Sequence, residues 1–256
     1  MDEDTKNNTL AGIGTLNERT LHAYLKAHYQ PDRSKQEIKI GRYVADIADG
    51  SSITEIQTGS FSSLKAKLAA FLKAYDVTIV YPVAQIKRII WVDPETGEAA
   101  PPRRSPKAAS GMEIFRELIY IKPWLCTPNL KFRIVLLELD EYRFLNGWSR
   151  DRKKGSSRKD RVPAAILGEI VVDCTEDYAN LLPASLPSLF TVAELMKCAR
   201  ISRRHAQCAV NVLMAVGAIC RVGKDGRAYL YEKTALPSAG IRINPENAAK
   251  TEESMG

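Results

Sequence analysis

Asp46, Glu55 and Gln57, all within the stretch R-Y-V-A-D-I-A-D-G-S-S-I-T-E-I-Q from Arg42 to Gln57, are of types that could do chemistry together. Carboxylates supply hard oxygen ligands for a divalent cation, whereas a carboxamide can only donate or accept a hydrogen bond. Asp49-Gly50 has turn chemistry, because glycine tolerates a positive φ and aspartate can bond its own following backbone, so the stretch reads as a β-hairpin. If Ala48 pairs with Ile53 across a four-residue loop, the register sets Asp46 opposite Glu55, with Cβ atoms about 5 Å apart. Two carboxylates that close repel unless something positive sits between them, and a hard divalent cation is the expected occupant. The plainer alternative is an exposed hairpin edge whose acids face water.

The flanking elements decide whether such a pair is held in place. T-L-N-E at Thr15 to Glu18 is a capping box opening a helix through about Tyr29. Glu18, Leu21, Leu25 and His28 follow helical spacing, so Glu18 shares the inward face and can reach the hairpin. After Gln57 a helix from about Phe61 to Ala74 buries Leu64, Leu68, Phe71 and Leu72, with Lys65 and Lys67 on or beside that stripe. V-T-I-V-Y-P-V follows as a strand buried on both faces, and R-I-I-W-V as a shorter one. The order of helix, hairpin, helix and strand predicts an α/β core with a mixed sheet.

Further along, residues 93–111 read as a long loop, Glu113 to Ile121 as helical, and Phe132 to Leu139 as a strand with a return or turn at Arg143 to Trp148. A basic loop then precedes a strand from Ile166 to Val172. Residues 1–14 are expected to be a disordered leader, 15–175 a first domain, 176–187 a linker, 188–235 a second domain and 236–256 a disordered tail. The second domain opens with a capping box at Thr191 and Glu194. It continues with a helix capped by Ser202 and closed by Gly217, and ends in a hairpin turning at Lys224-Asp225-Gly226.

Composition narrows the class. At 256 residues, 45% hydrophobic and 26% charged, the chain is of globular type. It holds no apolar run near the roughly 18 residues a membrane span needs, and its first residues are acidic and polar; a cytoplasmic protein with no membrane partner is expected. The five cysteines form no C-x-x-C pair, and most of them read as small buried residues. His22, His28 and His205 have no zinc-type spacing and read as ordinary surface or packing residues. No P-loop, dinucleotide fingerprint or nucleophile elbow occurs. The net charge of +7 suits a polyanionic partner. It concentrates in two places: seven Lys/Arg against two Asp between Asn146 and Pro163, and eight against three acids between Phe190 and Lys233.

With Glu18, Asp46 and Glu55-Ile56-Gln57 in that element order, followed by the helix from Phe61 and V-T-I-V-Y, the region from 15 to 92 resembles the PD-(D/E)XK nuclease superfamily. The resemblance implies a restriction-endonuclease-like mixed sheet flanked by helices, with residues to about 175 as a β-rich extension. It implies Asp46, Glu55 and the Ile56 carbonyl as ligands for Mg²⁺ or Mn²⁺, with Glu18 as an added acid. Gln57 stands at the position usually held by lysine, a role that Lys65 or Lys67 of the next helix could take.

The C-terminal segment resembles a winged helix. That resemblance directs Ser202, Arg203, Arg204, Gln207 and Asn211 toward a nucleic-acid groove and makes Arg221, Lys224 and Arg227 the wing. Ala206, Val210, Leu213 and Met214 are then core, and Arg152, Lys153, Lys154 and Arg158 of the basic loop are further backbone contacts. The expectations are therefore a metal-dependent endonuclease acting on duplex or branched DNA, or a catalytically inactive nuclease-like DNA-binding regulator. An RNA-directed variant stays open, as does a homodimer, because duplex cleavage usually needs two sites.

Overall fold

The computed structural model describes residues 20–106, 108–144, 157–234 and 241–243. Helix α1, Thr20–Tyr29, leads into a meander of β1 (Gln36–Ile40), β2 (Tyr43–Asp49) and β3 (Ser52–Ile56). A 3-10 turn at Phe61–Leu64 continues as α2, Lys65–Phe71. The two strands expected next are one, β4, running unbroken through Asp76–Val92. Gln57 N–H gives its bond to the Val80 carbonyl, the last contact from the β3 side. Pro82 follows the end of the β3 pairing, so the N–H it lacks is on the side β3 has left, while β6 pairs on the other.

The stretch expected as a loop over 93–111 carries β5, Arg103–Arg104, paired with β4. Short helical turns fill 111–124, with α3 at Phe115–Leu118. β6 (Leu130–Phe144) and β7 (Ser157–Val172) are both much longer than the sequence suggests. The residues between them, with Arg152, Lys153, Lys154 and most of the expected return, lie outside the described residues. Then come β8 (Leu189–Thr191), α4 (Val192–Ala199), α5 (Arg203–Ala215), β9 (Ile219–Asp225) and β10 (Ala228–Lys233). β11, Ile241–Ile243, pairs with β7, so the expected disordered tail contributes a strand.

The large sheet has the order β1-β2-β3-β4-β6-β7-β11, with β5 on β4. The β3–β4 and β4–β6 pairs are parallel; the others are antiparallel. It is a mixed α/β architecture in which a large mixed sheet is flanked by helices. Alternation along β4 explains the layering: Val77, Ile79 and Val83 face a core shared with α2, α3, α4 and α5, while Val80 faces α1. On the α1 side Leu21 and Leu25 pack on Ile47, Ile56, Val80, Val135, Leu137 and Leu139. His28, expected on that inward face, is exposed, and Lys26 is buried in its place, paired with Glu37 at 2.7 Å.

A second sheet, β8-β10-β9, packs beside α4 and α5. Residues 176–187 form a packed connection rather than a loose linker. The 3-10 turn Glu176–Leu181 buries Asp177, Tyr178, Ala179, Asn180 and Leu181, and the Asp177 carboxylate accepts from the Asp173 and Cys174 N–H groups. One apolar cluster runs from Phe61 and Phe115 through Tyr178 and Leu181 to Phe190, Leu195 and Leu213. Gly111 sits at this junction, where a Cβ would come within 2.6 Å of Ile170 Cδ1 and 3.3 Å of Leu181 Cδ2. The cysteines correct their expectation: Cys126, Cys174 and Cys220 are exposed, and Cys198 and Cys208 are half-buried. Met214, expected in the core, is 42% exposed. Among the described residues no helix is long and apolar enough to cross a membrane.

Leu25 is fully buried where α1 meets the sheet, so Leu25→Ala should cost about 2–5 kcal/mol. A urea titration of the two proteins measures it; an unchanged midpoint would show that α1 does not dock through this side chain.

Candidate functional site

The hairpin pairs in the expected register, with Ala48 opposite Ile53 and Ile47 opposite Thr54, and continues to Asp49 opposite Ser52, so only Gly50 and Ser51 form the turn. Gly50 has φ +59, the left-handed conformation that requires little of glycine. Beyond Ile47 and Thr54 the carboxylates themselves bridge the two strands. Ile56 N–H donates to Asp46 Oδ2 at 2.8 Å, and Asp46 N–H lies 3.4 Å from Glu55 Oε1. Asp46 and Glu55 thus face each other as the register requires, Glu55 only 2% exposed.

The two candidate lysines separate cleanly. Lys67 Nζ reaches Glu55 Oε2 at 2.5 Å, while Lys65 points away and lies 5.9 Å from the centre of the Tyr120 ring. Helix α2 starts just past the hairpin and buries Leu64, Leu68 and Phe71, which leaves Lys67 one position from Leu68 and turned to β3. Gln57 is drawn off in the other direction, its Nε2 donating to the Ser60 carbonyl at 2.8 Å. The ammonium beside the acids therefore comes from Lys67.

From the opposite layer α1 brings His22, whose Nε2 is 3.3 Å from Asp46 Oδ2. This residue was expected to be ordinary; Glu18, expected here, lies outside the described residues. The signal was present, since Glu18 and His22 are four apart and a helix face that carries one carries the other. Arg161 is a second residue missed by the sequence. It leaves β7 and its Nη2 donates to the Thr58 carbonyl at 3.4 Å, beside Gln57, a contact between segments about a hundred positions apart that no local pattern encodes.

Electrostatics divides the two acids. Burial and the Asp46 charge push the Glu55 carboxyl up to about 7, with Lys67 opposing. Burial also works against the Asp46 charge, but the hydrogen bond and charge of His22, the Ile56 N–H and Lys67 together hold it below the usual carboxylate value. An acid pair split in this way is a common mark of a working site.

Among the described residues no group of three or more His, Cys, Asp and Glu is arranged to hold a metal ion. The donors that are present still suit Mg²⁺ or Mn²⁺, ions commonly held by one or two carboxylates with water and substrate oxygens completing the shell. Asp46 has a side chain 21% exposed, and its Oδ1 accepts no hydrogen bond among the described residues.

The C-terminal candidates fall into two groups. Arg203, Gln207 and Asn211 of α5 line one groove with Arg227, Ala228, Tyr229 and Tyr231 of the hairpin, a cavity of about 640 Å³. The others lie elsewhere or are engaged. Ser202 caps α5, accepting from His205 N–H, and Arg204 is exposed but outside the groove. Arg221 and Lys224 sit against the Tyr229 ring at 4.5 and 5.4 Å from its centre. Asn211 also accepts from Lys122 Nζ at 3.0 Å, and His205 is buried with Nε2 2.7 Å from the Met112 carbonyl. Arg158 rests 3.7 Å from the buried Glu141, which also draws in Lys87 and Arg143.

Residues 19–173 match the family described as Domain of unknown function (DUF8091). The chain belongs to that family. The DUF8091 match spans α1 to the end of β7 and so includes His22, Asp46, Glu55 and Lys67. The chain is also similar to an uncharacterized protein of Treponema pallidum (strain Nichols), 29% identical over 227 residues that cover 86% of this chain and 87% of the relative. No solved structure matches it.

In metal-free protein the raised Glu55 carboxyl should show a carbon-13 carboxyl titration near pH 7, and Asp46→Asn should lower that midpoint because it removes one of the two causes. A wild-type midpoint at the ordinary 4.5 would exclude the burial described here. The linked stability follows the sign of the shift: the favourable contribution of protonated Glu55 is complete below about pH 4.5 and is lost as pH rises through about 7. Asp46 runs the other way, contributing above its ordinary 3.8 and losing that contribution as pH falls through its lower folded value.

Proposed function

We propose that this DUF8091 protein is a metal-dependent nuclease of the PD-(D/E)XK type that hydrolyses phosphodiester bonds in DNA, with its 189–233 segment serving as a winged-helix nucleic-acid contact. The observation that carries the reading is the placement of the Lys67 ammonium on Glu55, opposite Asp46, while the hairpin's own Gln57 turns away. A helix-borne lysine supplies what a glutamine cannot, a fixed positive charge next to the acids.

Asp46, Glu55 and the Ile56 carbonyl would hold Mg²⁺ or Mn²⁺, and the chemistry the ion supplies when bound is charge neutralisation at a phosphoryl oxygen and acidification of water. The chain's own groups do the rest. Lys67 keeps a cation where negative charge grows on the phosphate, and orients the attacking water. His22 and the Ile56 N–H fix the Asp46 carboxylate, so its second oxygen has one direction to offer. Arg161, anchored on Thr58, places a further cation beside the hairpin's end.

A second reading is a nuclease-like protein that binds nucleic acid without cutting it, and the bond from Gln57 to Ser60 favours it, since the usual lysine position then contributes nothing. Plasmid and branched DNA incubated with Mg²⁺ or Mn²⁺ distinguish the two. The nuclease reading expects cleavage abolished by Asp46→Asn, lowered roughly 100-fold or more by Lys67→Met, and unaffected by Lys65→Met. Intact substrate in every condition, with wild type and Asp46→Asn shifting it equally on a gel, would leave the binding protein.

A further inference from the structure

The groove beside α5 has a composition that duplex reading does not explain. Arg203, Gln207, Val210, Asn211 and Met214 form a single helical stripe that lines the groove, with Val210 buried at its floor and the other four exposed. Its opposite wall is β10, from Ala228 to Tyr231, and Val192, Ala193 and Met196 complete the lining. On its other flank α5 is held by the 111–124 turns through Lys122 to Asn211 and His205 to Met112. A helix that reads duplex DNA has to project into a major groove about 12 Å wide, and here β10 stands across the groove from this stripe.

The lining has two chemistries and lacks a third. Arg203 and Arg227 place cations on facing walls, and among the described residues no carboxylate lines the cavity. Tyr229 keeps 45% of its surface exposed with Arg221 and Lys224 packed against its ring, which makes a cation-backed aromatic platform. Val192, Met196, Val210 and Tyr231 give an apolar floor, and the Gln207 and Asn211 amides stand one turn apart to meet polar edges. Positive rims, an aromatic face and an apolar floor are the parts used to hold unstacked bases of a single strand and its phosphates. A cavity of about 640 Å³ takes a short run of splayed nucleotides but no duplex.

We propose that this groove binds single-stranded nucleic acid, its bases stacking on Tyr229 and its phosphates meeting Arg203 and Arg227, so that an overhang or branch rather than blunt duplex is the ligand. The proposal rests on the nucleic-acid reading of this segment and is independent of cleavage.

Fluorescence anisotropy with the full chain in EDTA tests it. The probes are labelled single strands of about 12 nucleotides, as DNA and as RNA, the matching blunt duplex, and that duplex with a single-stranded overhang. The expected result is at least tenfold tighter binding of single strand and overhang than of blunt duplex. Tyr229→Ala should weaken single-strand binding roughly tenfold. Arg203→Ala and Arg227→Ala should each flatten the salt dependence, and Arg204→Ala, outside the groove, should leave affinity unchanged. Circular dichroism melts confirm that each variant is folded, and Tyr229→Phe, which keeps the ring, should retain binding.

Tighter binding of blunt duplex, or full affinity in folded Tyr229→Ala, would overturn the proposal. Absence of binding to every probe would overturn it equally. Cleavage by wild type in a parallel reaction with Mg²⁺ would, in either case, leave the nuclease reading standing by itself.

Discussion

Two carboxylates face each other across a hairpin with almost no water to screen them, and that repulsion sets the terms for the surrounding elements. The β2–β3 ladder hands over to side chains at this point, so that each strand's N–H groups soften the acid of the other. Lys67 comes from one layer of helices and His22 from the other, the first bringing an ammonium to Glu55 and the second a ring nitrogen to Asp46. The site therefore lies at the seam where α1 and α2, on opposite faces of the sheet, come nearest to the same strands. Neither helix can shift without leaving a buried acid poorly compensated.

The C-terminal third is built into this arrangement. The apolar cluster that backs α2 and α3 continues into α4 and α5, and the packed turn at 176–181 joins them. Such continuity fixes where the arginine and tyrosine side chains of the groove stand relative to the sheet. The groove and the acid pair are thus joined through packed side chains rather than through a tether.

Local grammar made much of this legible. The hairpin register around Gly50, the capping box at Thr191 and Glu194 and the stripe of Leu64, Leu68 and Phe71 follow from neighbours within a few residues, and each is present. The choice of Lys67 over Lys65 was not legible, because both flank the same stripe and only the placement of α2 against β3 separates them. Strand lengths were underestimated for a related reason. Lys87, Arg88, Glu138, Asp140 and Glu141 look like solvent-facing charge in sequence, but pair across β4 and β6 as ion pairs that let both strands run on. Arg161 and the burial of 177–182 depend on contacts between distant segments, and nothing in their own neighbourhoods announces them.

The shared core also bears on how the chain comes into being. Synthesis completes β4 and β6, with their parallel pairing, well before α4 and α5 exist to cover the face that carries Phe61, Phe115 and Phe132. Until residues near Val216 have emerged, that face stays open, and strand β7 awaits β11 as its neighbour. A nascent chain in this state exposes a wide apolar sheet to everything around it, the condition in which proteins depend on chaperones or aggregate. The last part of the chain to be made is thus the part that renders the first part safe.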